Sequence, residues 1–205
     1  MAQIKYTFVH STKCGGTACE QFFREHYSDY IIGQSHALLC KNDNNPIFIV
    51  RDPIDRFISM YKYWKNGTED TNFKRKPEFI EKYNKFTIKD YIHLMKHSIR
   101  ELTCDFTWYQ HYKPQTSWIS QHANYKNIII IKYEPNLNNK IQKLLELLQI
   151  PSKNINLPIM HVSSLENCNC ELDDEDIAFI KENYKTDYEL WDKINNNPQL
   201  FKLVI

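Results

Sequence analysis

Apolar residues follow two alternating patterns along this chain. Short continuous runs, Tyr6–His10, residues 30–32, 47–50 and 128–131, are rich in Ile, Val, Phe and Tyr and predict four strands. Ile47-Phe48-Ile49-Val50 has no polar alternation, the pattern of a parallel strand covered on both faces. Between these runs the apolar residues recur every three or four positions. Cys19, Phe22 and Phe23 predict a helix after the first strand, and Ile54, Phe57, Ile58, Tyr61 and Trp64 predict one over 53–64, with Pro53 at its first position. Ile88, Tyr91, Ile92 and Met95 mark a third helix within 87–100, residues 134–148 a fourth, and Asp173 caps a fifth that runs through Tyr184. Strands alternating with helices, joined by right-handed crossovers, predict the α/β class: a small parallel sheet flanked by helices.

At 205 residues the chain suits a single domain, 1–205, with one sizeable core. Hydrophobic residues at 42%, with only 4 Gly and 8 Pro, exclude a disordered or low-complexity chain. Lys+Arg at 26 against Asp+Glu at 25 leaves a net charge of +1, so no global field draws the protein to nucleic acid or an anionic membrane. Anion binding has to be local. Charge is nevertheless unevenly spread: residues 72–100 carry eight Lys or Arg against three acids, and residues 165–192 carry two Lys against ten acids. The basic run suits an acidic ligand and equally a solvated helix face.

The six cysteines include no C-x-x-C pair, which argues against a zinc site. With no apolar signal segment before Tyr6 and no long apolar run, the expectation is a cytoplasmic protein with reduced thiols and no membrane span.

Candidate chemistry starts at the first strand-to-helix junction. Lys13-Cys14-Gly15-Gly16-Thr17 follows a buried strand and opens a helix, where backbone N–H groups and the helix dipole favour an anion. A nucleotide kinase of the P-loop type would carry lysine after its glycines; here lysine precedes them. The G-x-G-x-x-G dinucleotide fingerprint is absent.

Phe8-Val9-His10-Ser11-Thr12-Lys13-Cys14-Gly15-Gly16-Thr17 resembles the F-V-H-I-P-K-T-G-G-T signature of sulfotransferases that use 3′-phosphoadenosine 5′-phosphosulfate, especially their carbohydrate-type branch. Ile49-Val50-Arg51-Asp52-Pro53 through Arg56, Ser59 and Tyr61 is similar to the second signature of that family, V-R-[DN]-P-x-x-R-x-x-S-x-Y. Lys113 to Ile119 looks like a segment lining the acceptor cleft, and Tyr133-Glu134 and Tyr184-x-x-Asp187-Tyr188 also have counterparts. Ser11-Thr12 stands where the signature has Ile-Pro, Cys14 where it has threonine, and Ser163 where members often carry asparagine.

The resemblance implies a P-loop-like sulfotransferase fold and a role for each matching residue. Backbone N–H groups from Cys14, Gly15, Gly16, Thr17 and Ala18, with the Thr17 hydroxyl, would cradle the 5′-phosphosulfate, and Lys13 would neutralise the leaving group. Arg51 and Ser59 would bind the 3′-phosphate, His36 would be the general base, and Gln115 and Trp118 would face the acceptor. His10 and Glu20 are rival candidates for the base, and Arg56 reads as structural support. The implied reaction moves a sulfuryl group to a hydroxyl of a carbohydrate or small molecule, leaves adenosine 3′,5′-bisphosphate and needs no metal. The aromatic residues Trp108, Tyr109 and Trp118 suit a sugar face and suit core packing as well. A nucleotide-dependent kinase and a non-catalytic nucleotide-binding relative are the alternatives.

Overall fold

A computed structural model describes residues 5–35, 38–39, 45–66, 77–83, 85–97, 111–119, 125–153, 155–159 and 170–205. The chain forms two compact units, each assembled from separate stretches: Met1–Asp52, Pro114–Met160 and Thr186–Ile205 in the first, and Pro53–Lys113 with His161–Lys185 in the second.

The first unit holds the sheet. Strands β1 (Tyr6–His10), β2 (Ile31–Ser35), β3 (Pro46–Val50), β4 (Ile129–Lys132) and β5 (Leu203–Val204) are ordered β2-β1-β3-β4-β5, and every pairing is parallel. The pleat sends alternate residues to opposite faces, and both faces are covered. Phe8, Ile47, Ile49, Ile129 and Ile131 pack with Cys19, Phe22 and Phe23 of α1 (Gly16–His26) and with Ile141, Leu144 and Leu145 of α5 (Leu137–Leu147). Val9, Phe48, Val50 and Ile130 pack on the other face with Trp118, Leu190, Ile194 and Phe201, where Leu190 and Ile194 belong to α7 (Lys185–Asn196). All five residues of β3 are therefore buried, as its unbroken apolar run predicts.

Helices α2 (Pro53–Asn66), α3 (Pro77–Tyr83), α4 (Ile88–His97) and α6 (Asp174–Asn183) belong to the second unit. Its core is mostly aromatic: Phe57, Tyr61, Trp64, Tyr83, Tyr91, Tyr112 and Tyr184 pack around Met60, Ile88, Ile92 and Ile180. Arg56 is buried among them, donating from Nη2 to the Lys113 carbonyl at 2.9 Å and the His111 carbonyl at 3.4 Å. This is the structural support expected of it. Burial without such carbonyls would strand the guanidinium charge.

Several boundaries differ from the sequence reading. The second strand extends to Ser35 instead of stopping at Ile32, because pairing with β1 (Phe8 to Gly33, His10 to Ser35) carries it past its apolar residues. The fourth strand begins at Ile129 and the next helix at Leu137, after Pro135. Helices α3 and α7 and the two-residue strand β5 have no counterpart in the predicted elements.

Candidate functional site

Strand order reverses between β1 and β3, which makes their carboxyl ends a topological switch point where open α/β sheets bind ligands. Each strand delivers a cation there. Lys13 follows β1 by three residues, and Arg51 follows β3 directly.

Lys13 has φ of 63° and Gly15 φ of 72°, so two residues of the loop occupy the left-handed region. Glycine adopts it without strain; a lysine does so only where its surroundings compel it. The chain then turns tightly into α1. Gly15 is the N-cap of that helix, no side chain caps it, and its first turn carries no acidic residue. The leading N–H groups, which helix geometry leaves without internal partners, are those of Gly16, Thr17 and Ala18. Both glycines are required sterically. A Cβ on Gly15 would come within 2.7 Å of the Tyr133 ring, and one on Gly16 within 2.0 Å of the His10 ring.

The loop is supported from beneath. His10 is buried, its Nδ1 donating to the Ser11 carbonyl at 3.1 Å, while its Nε2 lies in hydrogen-bond contact with Glu20 Oε2 at 3.1 Å. The Cys14 side chain is also buried: its sulfur lies 3.0 Å from Ser11 Oγ, and its one proton faces two acceptors, the Thr12 carbonyl and Gln115 Oε1, both at 3.6 Å. The thiol is thus directed into the protein, and only the Cys14 backbone is left for a ligand. Ser11 and Cys14, both departures from the signature, satisfy one another.

The Arg51 guanidinium donates from Nη1 to the Lys13 carbonyl at 3.2 Å and lies 4.5 Å from the centre of the Tyr133 ring. Tyr133 thereby touches both glycine loop and arginine, and its own N–H is tied to the Val50 carbonyl at 2.7 Å. Arg51 Nε is buried without a hydrogen-bond partner among the described residues. Burial, reinforced by the Arg51 charge, pulls the Lys13 amine down to about 8. Lys13 and Arg51 beside an uncapped helix N-terminus make an arrangement that favours an anion.

Other predicted residues have different positions. Gln115 and Trp118, expected to face an acceptor, are 1% and 3% exposed and present no surface to one. Gln115 bonds to the Arg51 backbone instead. The Trp118 carbonyl accepts from Leu39 N–H at 2.8 Å, so its segment holds the chain a few residues beyond β2. Ser59 is half-buried on α2, in the second unit. His36, Trp108, Tyr109 and Ser163 lie outside the described residues. Sequence reasoning missed the part Tyr133 plays, since nothing local signals that its ring would meet Gly15, 118 positions earlier. Among the described residues no helix is long and apolar enough to cross a membrane.

Comparison with curated proteins gives no match. The Sulfotransferase family model matches residues 19–193. That stretch begins within α1, so the glycine loop lies outside it and its anion-site geometry is separate support. With most of the sequence matched, and with paired cations at the switch point of a parallel sheet, the chain belongs to the sulfotransferase family.

Proposed function

We propose that this protein transfers a sulfuryl group from 3′-phosphoadenosine 5′-phosphosulfate to a hydroxyl of a carbohydrate or small molecule. The observation that carries the reading is the meeting of Lys13, Arg51 and the uncapped start of α1, with Arg51 Nε buried and lacking a partner among the described residues. A donor with phosphate groups at both ends of its ribose fits such a site, because each needs charge-assisted donors. Bound there, the donor would supply an activated sulfuryl group and a phosphate leaving group.

The protein's own contribution is charge and placement. Backbone N–H groups of Gly16, Thr17 and Ala18 hold the anion, and the Lys13 ammonium offsets negative charge as it develops on the departing phosphate oxygen. With its pKa near 8, Lys13 stays mostly protonated at neutral pH. Arg51 offers a planar fork suited to phosphate, and the spacing to Ser59 in the second signature supports that serine as its companion. His36, directly after β2, takes the acceptor proton as the new sulfur–oxygen bond forms and the bond from sulfur to the phosphate oxygen breaks. Fixed positions for both reactants supply the rest of the acceleration.

Calorimetry with adenosine 3′,5′-bisphosphate, set against ATP and magnesium, tests the donor. Tight binding of the bisphosphate and weak binding of ATP are expected; the reverse preference would overturn the reading. Transfer of labelled sulfate to a panel of sugars and small alcohols then identifies the acceptor class.

A further inference from the structure

Asp187 is a fully buried carboxylate on α7, and it accepts three hydrogen bonds from one short turn: Gln115 N–H at 2.8 Å, Thr116 N–H at 2.9 Å and Thr116 Oγ1–H at 3.0 Å. A buried anion is tolerated only with such donors, so the turn has little freedom to move. The Gln115 side chain points from that turn to the end of β3. Its Oε1 accepts from Arg51 N–H at 3.1 Å, and its Nε2 donates to the Arg51 carbonyl at 2.7 Å. These two bonds close a ring on the backbone of a single residue, as a neighbouring strand would. The same Oε1 also accepts from the Cys14 thiol at 3.6 Å, in the loop that carries Lys13.

We propose that Asp187 and Gln115 form a positioning clamp for the anion site, setting the aim of Arg51 and its register against the Lys13 loop without touching the ligand. This rests on the donor reading above. The clamp demands an acceptor and a donor side by side on one short side chain. Glutamine provides both. An ionised glutamate would turn a second acceptor toward the Arg51 carbonyl, whereas a protonated glutamate restores the original pattern.

Gln115→Glu is therefore a reversible test within one folded protein. Burial at this position raises the pKa of an introduced carboxyl into the range scanned, so affinity for adenosine 3′,5′-bisphosphate, measured by calorimetry from pH 5.5 to 8.5, is expected to approach wild type at the acid end and to fall about tenfold below it at the alkaline end. Gln115→Leu should be weak throughout, and Asp187→Asn intermediate. In turnover assays the donor KM should rise while the acceptor KM stays put. Exchange of the Arg51 amide proton, followed by NMR without ligand, reads the clamp independently and should quicken in Gln115→Leu. A flat affinity ratio across pH, or Arg51 exchange unchanged by Gln115→Leu, would overturn the clamp. Wild type that fails to bind the bisphosphate would overturn the donor reading instead, and Arg51 exchange would still decide whether the clamp exists.

Discussion

Two helix N-termini in this protein treat the same problem in opposite ways. α6 satisfies its leading N–H groups from within: Asp173 Oδ1 accepts from Asp176 N–H at 3.0 Å, and Asp176 Oδ2 accepts from Asp173 N–H at 3.2 Å, a complete capping box. Three acidic residues fill its first turn, and Lys89 pairs with Asp173 and Asp176. α1 has no side-chain cap, no acid in its first turn, and cations on its approach. The contrast separates a helix end closed by its own side chains from one left uncapped, where the proposed function places a ligand. Residue choice explains both. Asp at the cap and in the first turn closes the dipole, and glycine with lysine leaves it to attract an external anion.

The sharpest way to break the contrast is Lys13→Ala, which removes the charge proposed to balance the leaving group. Turnover should fall by roughly 10²–10³-fold, with a smaller loss of donor affinity, as rapid-quench and binding measurements would show. Gly16→Ala comes next. A methyl group would have to displace the buried His10 ring, and denaturant unfolding should record a loss of about 2–3 kcal/mol along with loss of donor binding.

Titration separates the two ends further. Lys13 has its pKa lowered to about 8, and an anion binds its protonated form better. Donor affinity should hold below pH 8 and weaken above it by about tenfold per unit, with Lys13→Ala flattening the profile. Asp173 is lowered from 3.8 to about 2, first by its hydrogen bond from Lys89 and then by the Asp176 N–H. Its contribution to stability is present above pH 3.8 and disappears as pH falls toward 2. The smallest effect expected is that of Asp173→Ala: a drop in Tm on the order of a few degrees, seen by calorimetry, and unchanged donor binding.

What the sequence discloses follows the range of the interactions involved. The Asp173 cap depends on neighbours a few residues away, and strand β1 announces itself by a run of β-prone residues, so both are readable directly. The same holds for the glycine loop, whose residue types state its backbone geometry. The sequence pattern stops strand β2 short because Gly33-Gln34-Ser35 carries no apolar signal; its extent comes from hydrogen bonding to β1. α7 lies in an acid-rich stretch whose charge obscures the inward residues Leu190 and Ile194. Gln115 is expected to face the acceptor because its segment resembles one lining that cleft, and the hydrogen-bond partners it has in the fold are 64 and 72 positions distant. A side-chain amide that imitates a strand has no sequence pattern of its own.

One consequence concerns synthesis on the ribosome. The network through Arg51, Gln115 and Asp187 draws on three widely separated stretches, the last of them in α7. Contacts of such long range form late, after the intervening chain has closed its loops. A nascent polypeptide can have its central strands and glycine turn in place and still lack a firmly aimed arginine until residue 187 has emerged and docked. Competence to bind an anion would then depend on the docking of α7, which couples maturation of the site to arrival of that helix.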